Sequence, residues 1–435
     1  MTADRHRRQL GFWKCLALVI GNIVGAGVFL LPASIAPFGR NNIWGWALAI
    51  GGALCLAFVL ARLAGRVRGG PYEYVRSAFG PEAGFVVMWT YWTSVWTANA
   101  TLAIAAVSYA SSLVPALGVG LMPPALAIGC VWLFTLINGR GAGTAGKVQV
   151  LTTLLKLLPL VAVCLVALTA IGGGAHSAAQ AAAPVTTGGV ASVAALAMFA
   201  MLGFESATLP AGKIIDEERT IPRATIAGTL LSGAITFAAC SAVLFLLPGD
   251  IASSSPAPFA DAIRPTLGNA AGSLIAMFAM ISALGALNGW VLCSGEVPLA
   301  MAQAQVFPEW FGKTTELGTP VRAQIFSSVI ASLMIFGNYS GSMTDAFTFV
   351  VLVSTVGSLV LYGGCALAAL KLKLAVPAGI AGILFTVFAF WGAGAEASIW
   401  GFGLVLLGLP FWLINRSSRG GSSQAAAASP GGLPE

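Results

Sequence analysis

Charged residues are scarce in this chain. Of its 435 residues only 9% are Asp, Glu, Lys or Arg, whereas 57% are hydrophobic. Soluble domains carry about 25% charged residues, so this balance excludes an ordinary soluble protein and indicates a membrane protein. The net charge of +7 would suggest nucleic-acid binding in a soluble chain. Here the basic residues lie between apolar runs, and we expect no nucleic-acid partner but contact with membrane lipid.

Histidine is nearly absent, and cysteine forms no paired motif. His6 and His176 are the two histidines, and both lie outside the apolar runs. They offer almost nothing from which to build a catalytic or metal site. None of the seven cysteines belongs to a CxxC pair, and all lie in or beside apolar stretches, as small buried hydrophobes do. We therefore expect no metal, no cofactor and no enzymatic activity. We also expect no cleavable signal peptide, because the first apolar run lacks a small-residue cleavage site.

Long apolar runs dominate what remains. A membrane-spanning helix needs about 20 mostly apolar residues, and continuous runs of this kind predict helices rather than the short alternating strands of a barrel. The sequence predicts an all-α membrane protein with 12 transmembrane helices, preceded by a cytoplasmic segment over 1–11 and followed by a disordered cytoplasmic tail over 416–435. The predicted spans are 12–36, 42–64, 83–112, 121–138, 147–171, 188–211, 223–248, 270–302, 321–338, 344–370, 374–393 and 396–415.

Lysine and arginine divide unevenly between the two ends of these spans. With a cytoplasmic N-terminus, nineteen of the 22 basic residues fall on the cytoplasmic side, Arg40 and Arg264 fall outside, and Lys156 lies within a helix. Basic residues accumulate on the cytoplasmic side of membrane proteins. This division predicts a multi-pass protein of the inner (plasma) membrane with both termini in the cytoplasm.

Two of the predicted spans are interrupted at their centres. The first contains three glycines within residues 21–27, and the sixth places Glu205 beside Gly203, with Pro210 following. Each glycine weakens a helix by about 1 kcal/mol relative to alanine. Paired interruptions in corresponding helices of two halves point to the binding site of an inverted-repeat transporter, where freed N–H groups hold a carboxylate and freed carbonyls hold a cation. Close helix packing through Gly21 and Gly25 is the alternative interpretation.

Several motifs resemble those of the amino acid–polyamine–organocation (APC) family. The resemblance covers residues 10–415 and is carried by GNIVGAGVF at 21–29, GGPYEY at 69–74, FGP at 79–81, FESA at 204–207 and RTIPRA at 219–224. Tyr91-Trp92, Asn99 and Gly289-Trp290 resemble the bacterial branch that exchanges arginine for agmatine or ornithine for putrescine. The resemblance implies a LeuT-type 5+5 inverted repeat over 12–370 with helices 1 and 6 broken, two further helices over 371–415, alternating access without ATP hydrolysis, and a homodimer.

The resemblance also implies a set of substrate-binding and gating residues. Residues of the first helix would hold the amino and carboxylate groups of a substrate, Trp290 would stack on its cationic or aliphatic part, and Asn99 would accept from a cationic head. Tyr72 resembles an inner gate, and Phe199 stands where the arginine/agmatine branch has a gating tryptophan. Phe199, Ala26 in place of a serine, and Val360 in place of a tyrosine depart from that branch and weaken a cationic-substrate assignment. The predicted substrate-binding residues are Asn22, Ile23, Gly25, Ala26, Gly27, Tyr91, Ser94, Val95, Asn99, Phe199, Leu202, Glu205 and Trp290.

Lys156 is the unusual charge within an apolar span. It lies about ten residues into the fifth predicted helix, too deep for its side chain to reach the surface easily, so its ammonium needs an internal partner. The carbonyls of Gly21 and Val24, at the first helix break, are the acceptors that we expect. The lysine then either pins the structure permanently or, as a lysine in proton-coupled members of the family does, replaces a bound Na⁺. We predict ion coupling through Lys156, Gly21, Val24 and Glu205.

Three functions are compatible with these observations. The first is sodium-independent exchange of an amino acid for an amine or another amino acid. The second is proton-coupled uptake or export of a neutral amino acid. A non-transporting amino-acid sensor is the third, although sensors usually carry a signalling domain, and this chain has no soluble segment large enough for one.

Overall fold

The computed structural model is helical throughout the residues that it describes. Those residues are 11–25, 27–67, 69–140, 142–174, 184–207, 214–316, 318–339 and 342–413. Ala26, most of the segment 1–11 and the tail 416–435, all of which carry sequence-based predictions, lie outside them.

Fourteen α-helices follow one another along the described part of the chain. The first seven are α1 (Phe12–Ile23), α2 (Gly27–Ile35), α3 (Asn41–Ala64), α4 (Gly70–Phe79), α5 (Pro81–Leu113), α6 (Met122–Gly139) and α7 (Ala142–Gly172). The other seven are α8 (Thr187–Met201), α9 (Glu217–Leu246), α10 (Gly249–Ser254), α11 (Pro258–Gln303), α12 (Val321–Gly337), α13 (Met343–Lys371) and α14 (Val376–Leu406).

The first predicted span is two helices rather than one. α1 and α2 are bent by 45° relative to each other. The helix ends because Val24 takes φ −72° and ψ 71°, outside the helical region, and the Gly25 N–H donates to the carbonyl of Ile23 at 2.6 Å instead of to a residue one turn back. The glycine-rich segment predicted to interrupt this span is the place where it bends.

The sixth predicted span is interrupted as well. Thr186 precedes α8, and its side chain caps the helix by accepting from the Gly189 N–H. The helix ends at Met201. Gly203 then adopts φ +112°, a left-handed conformation that residues with a Cβ avoid, and a short 3₁₀ turn follows over Phe204–Ala207.

Within the described ranges, seven helices are long and apolar enough to cross a membrane, or eight if α1 and α2 together count as one span. Shorter apolar helices, including α8 and α12, accompany them. Large apolar side chains are exposed on the outside, such as Leu384 at 66% and Trp391 at 58%, and lipid is the solvent that suits them. The last two predicted spans, 374–393 and 396–415, fall on the two parts of α14, which meet at a kink at Gly394 (φ 83°).

The centre of the bundle is α5, which is buried along almost its whole length. Buried hydrogen bonds tie it and α6 to α11 and α12: the Trp92 indole donates to the Ser294 carbonyl at 2.9 Å, and the Asn138 amide donates to the Asn288 side chain at 3.0 Å. In an apolar interior such paired polar groups fix the relative position of helices. The broken helices α1/α2 and α8 therefore lie against a firmly connected group of helices.

A candidate substrate site between two broken helices

The two helix breaks meet each other directly. A Cβ placed on Gly203 would lie 3.0 to 3.1 Å from the backbone and Cβ of Asn22, so the break after α8 packs on the end of α1. Both the positive φ of Gly203 and this close approach require glycine. Residues 181 positions apart in sequence are thus brought together at the point where each helix loses its hydrogen-bonded ladder.

A small cavity lies on one side of this junction. Its volume is about 20 Å³, enough for about one water molecule. The ring of Phe199 closes over Gly27, because a Cβ on Gly27 would lie 2.5 Å from the ring atom Cε1. The lining residues are Asn22, Ile23, Gly25, Gly27, Ala98, Leu102, Phe199, Ala200, Leu202 and Trp290.

A larger cavity, of about 190 Å³, lies on the side toward the start of α1. Asn22 and Trp290 line both cavities and so form the partition between them. The larger cavity is big enough for an amino acid and contains two ionisable side chains of opposite charge. Its lining residues are Leu18, Gly21, Asn22, Tyr91, Lys156, Gly203, Glu205, Ala286, Gly289, Trp290 and Cys293.

Three hydrogen-bond donors among the described residues hold Glu205. The Tyr91 hydroxyl donates to Oε1 at 2.9 Å, and Oε2 accepts from the Tyr362 hydroxyl at 2.7 Å and from the Gly203 N–H at 3.1 Å. The side chain is 2% exposed. Carboxylate oxygens accept hydrogen bonds, and these contacts join α5, α13 and the α8 break at one point.

Tyr362 belongs to this cluster although it is not among the predicted site residues. It stacks on Phe204, with ring centroids 4.5 Å apart, and is 1% exposed. A lone hydroxyl-bearing aromatic residue within the apolar run 346–370, next to Gly363 and Gly364, is the signal that points to it, because a buried Tyr hydroxyl needs a polar partner.

Lys156 reaches the break in the first helix. Its Nζ donates to the Gly21 carbonyl at 3.3 Å, and the side chain is 1% exposed. The Gly25 N–H, the usual partner of that carbonyl in a continuous helix, donates to Ile23 instead. Within the described residues no hydrogen bond joins Lys156 to the carbonyl of Val24, the second predicted acceptor.

Three residues predicted to line the site lie elsewhere. Ser94 faces α13, where its carbonyl accepts from the Ser354 hydroxyl at 2.9 Å, Val95 is fully buried in the core, and neither these two nor Asn99 lines either cavity. At about 100° per residue, Ala98 and Leu102 lie within about 20° of Tyr91 around the helix, whereas Asn99 lies about 80° away. The spacing of four residues that predicted a common stripe therefore drifts off the cavity. Both amide atoms of Asn99 lack a hydrogen-bond partner among the described residues.

The remaining predicted gate lies away from the cavities. Tyr72, near the start of α4, packs on α5, where a Cβ on Gly84 would lie 2.8 Å from its ring. It is 8% exposed and lines neither cavity. A gating role for Tyr72 stays a prediction.

Comparison with known proteins assigns the family. The model of the amino acid permease family matches residues 10–409. The chain belongs to that family. The APC resemblance seen in the sequence is therefore confirmed, and the protein is a multi-pass membrane transporter rather than an enzyme.

Three similar proteins come from two bacteria. The cadaverine/lysine antiporter of Escherichia coli K12 is 28% identical over 78% of both chains. The putative arginine/ornithine antiporter of Bacillus subtilis 168 is 31% identical over 84% of this chain and 85% of its own length. The putrescine transporter PotE of Escherichia coli K12 is 27% identical over 92% of this chain and 94% of its own.

Proposed function

We propose that this permease is a sodium-independent antiporter that exchanges amino acids, or an amino acid for an amine, across the bacterial inner membrane. The observation that carries the proposal is the junction of two broken helices at Asn22 and Gly203, beside a cavity that contains Lys156 and Glu205. The antiporter names of two relatives support the mode of transport. No bound cofactor is part of the proposal, since the driving force comes from the solute gradients.

Substrate binding is assigned to the two helix breaks. The backbone of residues 22–27, together with Phe199, Leu202 and Trp290, would surround the substrate in an occluded state, with free N–H groups near its polar groups. Phe199 on Gly27 would close the site on one side. The Glu205 cluster (Glu205, Tyr91, Tyr362 and Gly203) would close it on the other.

The proposed architecture is a LeuT-type arrangement. Twelve spans would form two inverted five-helix halves over 12–370 and two further helices over 371–415, with both termini cytoplasmic. The paired helix breaks support the inverted repeat, and the excess of basic residues at one end of the spans supports the orientation. A homodimer is proposed on family resemblance alone.

Lys156 would take the place of a sodium ion. Its ammonium already occupies the carbonyl freed at the first break, where a bound cation would otherwise bind. Burial disfavours the charged form of a lysine, and the carbonyl favours it. A balance between the two would let the site load and release a proton during the cycle.

Proton-coupled transport of neutral amino acids is the second candidate. The small cavity favours it, because no described residue that lines it is ionisable and Phe199 has no N–H to donate. Counterflow in liposomes would separate the candidates: preloaded unlabelled amino acid should accelerate uptake of labelled substrate for an antiporter. A sensor would bind the same compounds without flux, and uptake that ignores preloading would contradict exchange.

A further inference from the structure

Lys156 and Glu205 are the two formally charged side chains among the described residues that line the larger cavity. The other lining residues are apolar, glycine, amide, phenol or thiol groups. The cavity therefore contains one basic and one acidic side chain, in surroundings of lower dielectric than bulk water.

Glu205 and Lys156 differ in how much hydrogen-bonding capacity remains for a ligand. Among the described residues the Glu205 carboxylate accepts from two tyrosine hydroxyls and one backbone N–H, which use at least three of its about four lone-pair sites. A lysine ammonium has three N–H donors, and the described residues supply Lys156 with one acceptor, the carbonyl of Gly21. Two donors remain for a ligand that enters the cavity.

A carboxylate is the ligand group that suits a cavity in which Lys156 has N–H donors to offer and Glu205 is already hydrogen-bonded. It forms short, charge-assisted hydrogen bonds with an ammonium group, and it brings the negative charge that a buried lysine lacks. A diamine instead brings positive charge into a space that already holds an ammonium group, while the one carboxylate among the described lining residues, Glu205, is occupied by its own donors. Low dielectric strengthens that repulsion.

We propose that Lys156 makes this cavity selective for substrates that carry a carboxylate, so that α-amino acids bind and their decarboxylated amines are rejected. The proposal rests on the proposed transport function and narrows it to exchange of one amino acid for another. The neutral, partly apolar lining of the small cavity is consistent with this, because it contains no described acidic side chain to receive a second ammonium.

Matched pairs of compounds isolate the carboxylate. Lysine and cadaverine, ornithine and putrescine, and valine and isobutylamine each differ by that group alone. Binding of each labelled compound to the detergent-purified full chain is measured by a scintillation proximity assay, and counterflow is measured in parallel in liposomes. We expect every amino acid that binds to bind at least about ten-fold more tightly than its amine, a difference of about 1.4 kcal/mol.

Two substitutions of Lys156 test whether its charge causes the preference for compounds with a carboxylate. Lys156→Met removes the charge but keeps an unbranched apolar chain, and Lys156→Arg keeps the charge. We expect the preference for the amino acid to fall below about three-fold in the Met variant and to persist in the Arg variant. Equal affinity within the pairs for the natural chain, or an unchanged preference in a folded Met variant, would overturn the proposal. If neither variant folds, the pair ratios of the natural chain decide.

The outcomes separate this inference from the proposed function. A carboxylate preference in binding without any flux would support the inference and contradict transport. Equal exchange of both members of a pair would support antiport and overturn the inference. Binding of none of the six compounds would contradict both.

Discussion

The ring of Phe199 packs on Gly27 so closely that a Cβ on residue 27 would lie 2.5 Å from the ring atom Cε1. This contact joins α8 to the beginning of α2, next to the junction of the two helix breaks. It is also the point at which the small cavity is closed. Because Gly27 has no Cβ, the ring packs directly on its backbone. A methyl group added at residue 27 should therefore hinder closure of the small cavity.

Gly27→Ala should therefore hinder closure of the site. Overpacking of this kind costs about 1–3 kcal/mol, and we expect exchange to fall by about ten-fold or more while the protein is still produced. Uptake of labelled amino acid into liposomes measures the effect. Gly51→Ala is the matched control, because a Cβ at this exposed position in α3 meets no atom within 4 Å.

A second variant shows whether the ring is responsible. Combining Gly27→Ala with Phe199→Leu replaces the flat ring by a smaller, adaptable side chain and should recover part of the lost exchange. No recovery, together with normal activity of Phe199→Leu alone, would assign the defect to the backbone of the first helix break instead.

Tyr362→Phe tests the Glu205 cluster. The substitution removes one of the three donors to the carboxylate and leaves the ring free to stack on Phe204. Hydrogen bonds to charged groups contribute about 1.5–3 kcal/mol, so we expect a lower melting temperature in detergent and slower exchange. Tyr339→Phe serves as the control, since this hydroxyl lies outside the cluster, beyond the end of α12. Equal effects of the two substitutions would mean that the cluster has no special role.

Local sequence predicted the helix breaks, but it did not predict the whole cluster around them. Glycines at 21–27 and at 203 weaken the helix by their own backbone freedom, so their effect is visible without tertiary information. The partnership of Lys156 with Gly21 follows from the same logic, because a buried ammonium seeks a carbonyl that the helix no longer uses. Tyr362 binds a carboxylate 157 positions away, and only the packing of α13 on the α8 break brings them together.

The misplaced residues of α5 have a geometric cause. Tyr91, Val95 and Asn99 follow a spacing of four, which advances about 40° per step around a helix of 3.6 residues per turn. Every face of a long, buried helix such as α5 contacts another helix. The pattern of hydrophobic residues therefore does not indicate which face adjoins the cavity. The larger cavity meets the helix at Tyr91, and the small cavity meets it at Ala98 and Leu102.

Orientation in the membrane is open to a direct test. In a background without the seven native cysteines, Lys213→Cys should react with membrane-permeant maleimide only, because the loop before α9 is predicted to be cytoplasmic. Ser254→Cys, an exposed position at the end of α10, should also react with an impermeant reagent added to intact cells. The reverse pattern of labelling would place the N-terminus outside.

Sodium independence and pH dependence test Lys156 as the ion-coupling group. Its ammonium lies 3.3 Å from the Gly21 carbonyl, at the first helix break, so the position of a coupling cation is already taken. Replacing Na⁺ by choline should therefore leave flux in liposomes unchanged.

Flux should respond to pH, because gain or loss of the proton on Lys156 creates or removes a charge that the buried site must accommodate. Lys156→Ala should flatten that response or hold the protein in one conformation, and Lys156→Arg should flatten it as well, since an arginine stays protonated. The Ala and Arg variants thus differ in charge at residue 156, but neither has a group there that gains or loses a proton as the pH changes. Transport that requires Na⁺, or a pH profile that is the same in Lys156→Ala as in the natural chain, would leave the lysine as a structural link between α7 and the first helix break.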